Sequence, residues 1–143
     1  MKYEYNFSSA NDENYGASYN LSLDQHDLWD MPCTLAPIIL PMLNRLKTQK
    51  AGTPFTDNKD APKELRLDAE HQGFNEERWQ WIIDQMIFSF THVYRCQHDD
   101  SYDEDYACLD SDSEVNLSEL HRFNDTVDNG FRLFGKYFQN LRL

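Results

Sequence analysis

Apolar residues recur at helical spacing in three stretches of this chain and alternate with polar ones near its start. Tyr3, Tyr5 and Phe7 alternate with polar neighbours, as do Tyr19, Leu21 and Leu23, with the turn-prone SSANDENYGAS between them. That pattern predicts a short N-terminal β-hairpin within residues 1–23. A first helix is predicted over 30–50, where Leu35, Ile38, Ile39, Met42, Leu43 and Leu46 fall on one face. Asp30 is a suitable N-cap, and Pro32 lies in the first turn, where a missing N–H costs little. Pro37 and Pro41 sit one above the other further along, each removing a backbone hydrogen bond at ~3 kcal/mol in an ordinary helix interior. The expectation is a kink or a broken first turn, with regular helix only from about Pro41 to Lys50. Arg45, Lys47 and Lys50 suit the negative end of its dipole, and Gly52 and Pro54 stop it.

Residues 51–74 read as a polar connection with Pro54, Pro62 and Gly73 and one helical turn at PKELR. The second helix, 75–96, is capped by Asn75 and opens with Glu76 and Glu77. Trp79, Ile82, Ile83, Met86, Ile87, Phe90 and Tyr94 form its stripe, with Trp81 and Phe88 off it, so this helix should be touched from two directions. In the third helix, 116–141, the residues Leu117, Leu120, Asn124, Val127, Phe131, Phe134, Phe138 and Leu141 step alternately by three and four. Such a heptad seam either packs on its own chain or zips to a second copy as a homodimer, with Asn124 setting the register. Self-association would then use Leu117, Leu120, Asn124, Val127 and Phe131. Gly130 and Gly135 weaken this helix and leave room for close approach of another element. The predicted fold class is mainly α (α+β): a three-helix bundle with a kinked first helix and a short N-terminal β-hairpin, in a single domain over 1–143.

Nine Phe, eight Tyr and three Trp in 143 residues rule out disorder along the whole length, because disordered chains lack aromatics. No apolar run reaches the length of a membrane span, and MKYEYNFSS has no apolar signal core. Cys33, Cys96 and Cys108 make an odd count, which points to reduced thiols in a cytosol. A net charge of −12 argues against direct binding to DNA or anionic membranes. The acids concentrate in a loop at 97–115, through Asp99, Asp100, Asp103, Glu104, Asp105, Asp110, Asp112 and Glu114. Such a run is either a solvated, self-repelling linker or a phosphate-mimicking surface for a basic partner.

Candidate chemistry is thin. His92, Cys96, His98 and Cys108 are ligand types that zinc accepts, and His92 and Cys96 share a helix face, but their spacing fits no common structural zinc pattern. A calcium loop starting at Asp99 fails, because Glu104 stands where the turn needs Gly. Asp24, Asp27 and Asp30 precede the first helix and Asp84 lies on the second, a weak magnesium set with Asp27 and Asp84 as its best members. Capping explains Asp30, and Asp84 has no acidic neighbour on its helix. With no phosphate loop, nucleophile elbow, HExxH or CxxC, no catalytic residue and no cofactor is assigned.

Three blocks, LWDMPCTLAPIILPMLNRLK (28–47), RWQWIIDQMIFSF (78–90) and NGFRLFGKYFQNLRL (129–143), resemble a family of small proteins encoded by tailed bacteriophages. The resemblance rests on Trp29, Thr34, Leu35, Ala36, Ile39, Leu40, Pro41, Leu43, Arg78, Trp79, Phe134, Gly135, Lys136 and Tyr137. Pro32, Pro37 and the acidic 99–119 segment depart from it. It implies a phage source and the cytoplasm of an infected bacterial host, and it supplies no activity. The leading expectation is therefore a non-enzymatic acidic phage accessory protein that binds a macromolecular partner, such as an inhibitor or decoy of a host defence factor. Two alternatives stand beside it: a virion or assembly component that self-associates through the third helix, and a metal-dependent nucleotide hydrolase or nucleotide-sequestering protein.

Overall fold

Three long helices make up most of the described chain in the computed structural model, which describes residues 2–6, 18–22, 24–49, 52–66, 74–98 and 117–142. At the N-terminus, β1 (Lys2–Asn6) and β2 (Ser18–Ser22) run antiparallel with Tyr5 opposite Tyr19. A short helix, α1 (Gln25–Trp29), follows. Its first turn is closed by a reciprocal cap: the Asp27 N–H donates to Asp24 at 3.1 Å, and the Asp24 N–H donates to Asp27 at 3.0 Å. Asp30 then separates it from α2 (Met31–Thr48), which it caps by accepting from the Cys33 N–H. The Thr34 hydroxyl donates to the Asp27 carbonyl at 3.1 Å and ties the two helices together.

The expected interruption before Pro41 does not occur, because α2 is continuous from Met31. Both Pro37 and Pro41 are exposed, so the carbonyls they leave unbonded lie on the solvent side, where water can serve them. The opposite side, with Ala36 and Leu43 buried and Ile39, Leu40 and Leu46 packed behind them, holds the helix by burial.

The central helix, α3 (Glu76–His98), packs against α2 on one side and α4 (Leu117–Tyr137) on the other. Asn75 caps it, accepting from the Arg78 N–H at 2.8 Å. Trp79, Ile82, Ile83, Met86 and Phe90 are buried along the expected stripe. Full burial of each aliphatic member is worth about 1.5–3 kcal/mol. Phe90 meets Phe131 and Phe134 edge-on, at 5.2 and 4.9 Å between centroids. Tyr94 lies at the exposed margin, a correction to its place in the stripe.

The α3–α4 contact closes on Gly130. A Cβ there would lie 1.9 Å from Ser89 Oγ and 2.2 Å from the Gln85 carbonyl oxygen, so only glycine fits. The buried Ser89 hydroxyl sits 2.7 Å from the Val127 carbonyl, bridging the two backbones. Gly135 has nothing near its missing Cβ, so the close approach expected at both glycines occurs at one.

The seam needs correction toward its C-terminal end. The buried line of α4 runs through Val127, Leu133 and Tyr137, with Phe131 and Phe134 half-buried beside it. After Tyr137 the chain tightens into a 3-10 turn, Phe138–Asn140. Leu133 and Tyr137, each one position before the seam's Phe134 and Phe138, are the buried pair, so the buried line is rotated off the seam within regular helix. Phe138, expected inside, is 62% exposed.

Candidate functional site

Two features draw polar and apolar groups to the C-terminal end of α4. The first is a carboxylate knot. Between Gly52 and Arg66 the chain makes two 3-10 turns, Asn58–Asp60 and Lys63–Leu65, and the first carries Asp60 into the interior. With its side chain 3% exposed, Asp60 accepts from Arg132 at 2.8 Å, Lys136 at 2.5 Å and the Tyr137 hydroxyl at 2.7 Å. The Asp57 N–H donates to the same Tyr137 oxygen at 2.9 Å, and Trp79 stacks edge-on against that ring. Arg78, fully buried, donates to Asn58. The connection is thus fastened to both α3 and α4.

The electrostatics agree with this geometry. Burial pushes the Asp60 carboxyl up, but the hydrogen bonds from Lys136, Tyr137 and Arg132 outweigh it and hold the group below the ordinary carboxylate value. Asp57 is lowered chiefly by the Lys59 N–H. The hydrogen bond to Asp60 raises Lys136, and burial followed by that same carboxylate raises Tyr137. The knot's polar atoms point at one another, so its work is to hold the chain.

The second feature is a groove of about 490 Å³ between the C-terminal half of α2 and the end of the chain. Ile39, Met42, Leu43, Leu46, Phe134, Phe138 and Leu141 give it an apolar lining. Its polar members are Arg45, Gln49 and Arg142. With the Gln49 amide oxygen turned toward it, Arg45 donates to that oxygen from Nε at 3.1 Å and from Nη2 at 3.0 Å. Neither Arg45 nor Arg142 has a carboxylate partner among the described residues. A cavity of this size with few polar groups is the ordinary form of a binding site.

The residues singled out in the sequence are dispersed. Asp99, Asp100, Asp103, Glu104, Asp105, Asp110, Asp112, Glu114 and Cys108 lie outside the described residues. So do the side chains of His98 and Leu117. Val127 is buried and Phe131 packs on Phe90, so these two seam positions face α3 within the same chain. Leu120 is half-buried and Asn124 exposed. Asp27 serves the α1 cap, and Asp84 pairs with Lys47, so the two magnesium candidates have separate structural roles. His92 stacks on Phe123 and lies 3.7 Å from Cys96 Sγ, and burial lowers its pKa. Cys33, ungrouped with them in the sequence, feels Cys96 weakly, and its thiol is pushed up to about 11, first by burial and then by Asp30. Among the described residues no three His, Cys, Asp or Glu side chains are placed to hold a metal ion. No helix of the described residues is long and apolar enough to cross a membrane.

The groove and the knot were both missed by sequence reasoning. Tyr137 and Phe138 are consecutive apolar residues, and the ~100° between neighbouring helical positions sends one to the knot and the other to the groove. Comparisons with known proteins matched no family model, no curated protein and no solved structure.

Proposed function

We propose that this chain is a non-enzymatic binding protein whose groove between α2 and the end of α4 recognises a macromolecular partner. One observation carries the reading: an apolar groove left open by the described chain, with two arginines at its edge that no carboxylate of the described residues neutralises. Folding buries apolar surface wherever a partner element is present, so a concave apolar face left open is a place for something else. The exposed Met42 and Phe138 on either side of it supply the adaptable and aromatic groups that interfaces favour. We read the architecture as a three-helix bundle with the paired strands beside it. With the resemblance to tailed-phage proteins, the reading becomes an accessory protein acting in the cytoplasm of an infected bacterium, as an inhibitor or decoy of a host defence factor.

The test is capture from expressing or infected cells with the intact chain and with Phe138→Asp, followed by reconstitution of the captured protein from purified parts. The expected result is one partner that binds the intact chain in purified form and loses at least about tenfold in affinity with the variant, the scale of one lost apolar anchor. Equal affinity for both chains would contradict the assignment of the groove.

A further inference from the structure

We infer that the occupant of the groove is an amphipathic helix of a partner protein, with carboxylates along its margin. This deepens the binding role proposed above and rests on it. Two independent features carry it, one of length and one of charge.

The apolar face of α2 continues beyond the groove. Met31 and Leu35 are 56% and 37% exposed, and they precede the 65% exposed Met42 by eleven and seven residues. Those spacings place all three on one side of the helix. At 1.5 Å per residue the row spans ~17 Å, about three helical turns. A small apolar ligand would fill the groove and leave Met31 and Leu35 in water. A helix laid along α2 covers the whole row, with anchors at i, i+4, i+7 and i+11.

Charge selects which helix. Lys47 is paired with Asp84, and Arg132 and Lys136 with Asp60, yet Arg45 and Arg142 at the groove have no carboxylate among the described residues. Both are exposed. In a chain of 25 acidic and 13 basic residues, two guanidinium groups beside one apolar groove, uncompensated among the described residues, make a local positive rim on a negative molecule. A guanidinium presents a planar fork that a carboxylate fits in two parallel hydrogen bonds. A second copy of this chain is disfavoured as the occupant, because each copy carries −12.

The probes are two synthetic helical peptides of about sixteen residues, long enough to cover the row. Both carry Leu at the four anchor positions, one with Glu and the other with Lys along the margins. Binding is read by fluorescence anisotropy with the full chain at low salt. The Glu peptide should bind at least about tenfold more tightly, since two rim pairs turned from attraction to repulsion amount to roughly 1.4 kcal/mol. Arg45→Glu combined with Arg142→Glu should reverse the preference and strengthen binding of the Lys peptide. Misfolding cannot produce that gain. Equal affinity of the two peptides for the intact chain would overturn the inference. So would dimerisation of the chain through Met42 and Phe138 at the same concentrations, or saturation of the groove by laurate with no binding of either peptide. If Phe138→Asp abolishes capture of the cellular partner while the peptides bind equally, the groove stands and the acidic helix falls. If Phe138→Asp changes neither, both fall.

Discussion

The knot around Asp60 and the groove beside Phe138 lie on the same few residues of α4, yet they solve opposite problems. In the knot, a carboxylate with 3% side-chain exposure is met by Arg132, Lys136 and Tyr137. Charge taken out of water is compensated there, because an unpartnered buried carboxylate costs several kcal/mol. In the groove, apolar surface stays open and the neighbouring cations have no carboxylate partner among the described residues. The first arrangement is complete within the chain. The second leaves apolar and positive surface uncovered by the described residues. Stability should therefore depend on the knot and on the packing behind it, and binding on the groove.

Substitutions can break this division, and the interior ones should cost most. Gly130→Ala forces a Cβ into the Gln85 carbonyl, which no side-chain rotation relieves. Its expected cost is about 3 kcal/mol, despite the ~1 kcal/mol that alanine gains in helix propensity. Urea unfolding should show the loss, whereas Gly135→Ala, in open space, should be neutral or stabilising. Asp60→Asn comes next, at about 2 kcal/mol. Arg132 and Lys136 are half exposed, so they recover hydration that a fully buried partner would lack.

The knot also predicts a pH dependence. Asp60 and Asp57 are held below their ordinary values, so their contribution is fully present above about pH 4 and is lost as pH falls through their lowered values. Lys136 and Tyr137 are held above theirs, so their contribution is full below about pH 10 and fades above it. Thermal unfolding between pH 2 and about 5 should show an acid limb that flattens in Asp60→Asn. An unchanged limb would remove Asp60 from this role. Tyr137→Phe deletes one donor and one acceptor and should cost about 1 kcal/mol, leaving the Asp57 N–H without its oxygen. Smallest in stability and largest in binding are Met42→Glu and Phe138→Asp, both at exposed sites, with an expected change within about 0.5 kcal/mol. A loss comparable to Gly130→Ala in either would mean that the groove belongs to the core.

The parts of this molecule that could be read in advance are those set by local periodicity. The α3 stripe from Trp79 to Phe90, the Asn75 cap and the tight approach at Gly130 all follow from spacing or residue type within one element. Continuity of α2 was harder, because two interior prolines argue for a break. Only the opposite, buried face, with Ala36 and Leu43, shows why the helix persists. Asp57 and Asp60 look like ordinary solvated acids of a polar connection, since their partners lie more than seventy residues away. Arg45 reads locally as a complement to the helix dipole, and nothing near it in sequence brings Phe138 and Arg142 alongside. The groove is a tertiary product of α2 lying beside the seam's Phe134, Phe138 and Leu141, which periodicity within either element does not contain.

The central claim is that the exposed row on α2 is the binding face and the α3 interior is not. Three methionines report on it directly: Met31 and Met42 lie on the row, and Met86 is fully buried in the core. Methyl spectra of selectively labelled chain, titrated with the Glu-margined peptide, should show Met42 and Met31 shifting to saturation while Met86 stays in place. A silent Met42, or a shift of Met86 as large as that of the other two, would contradict the account.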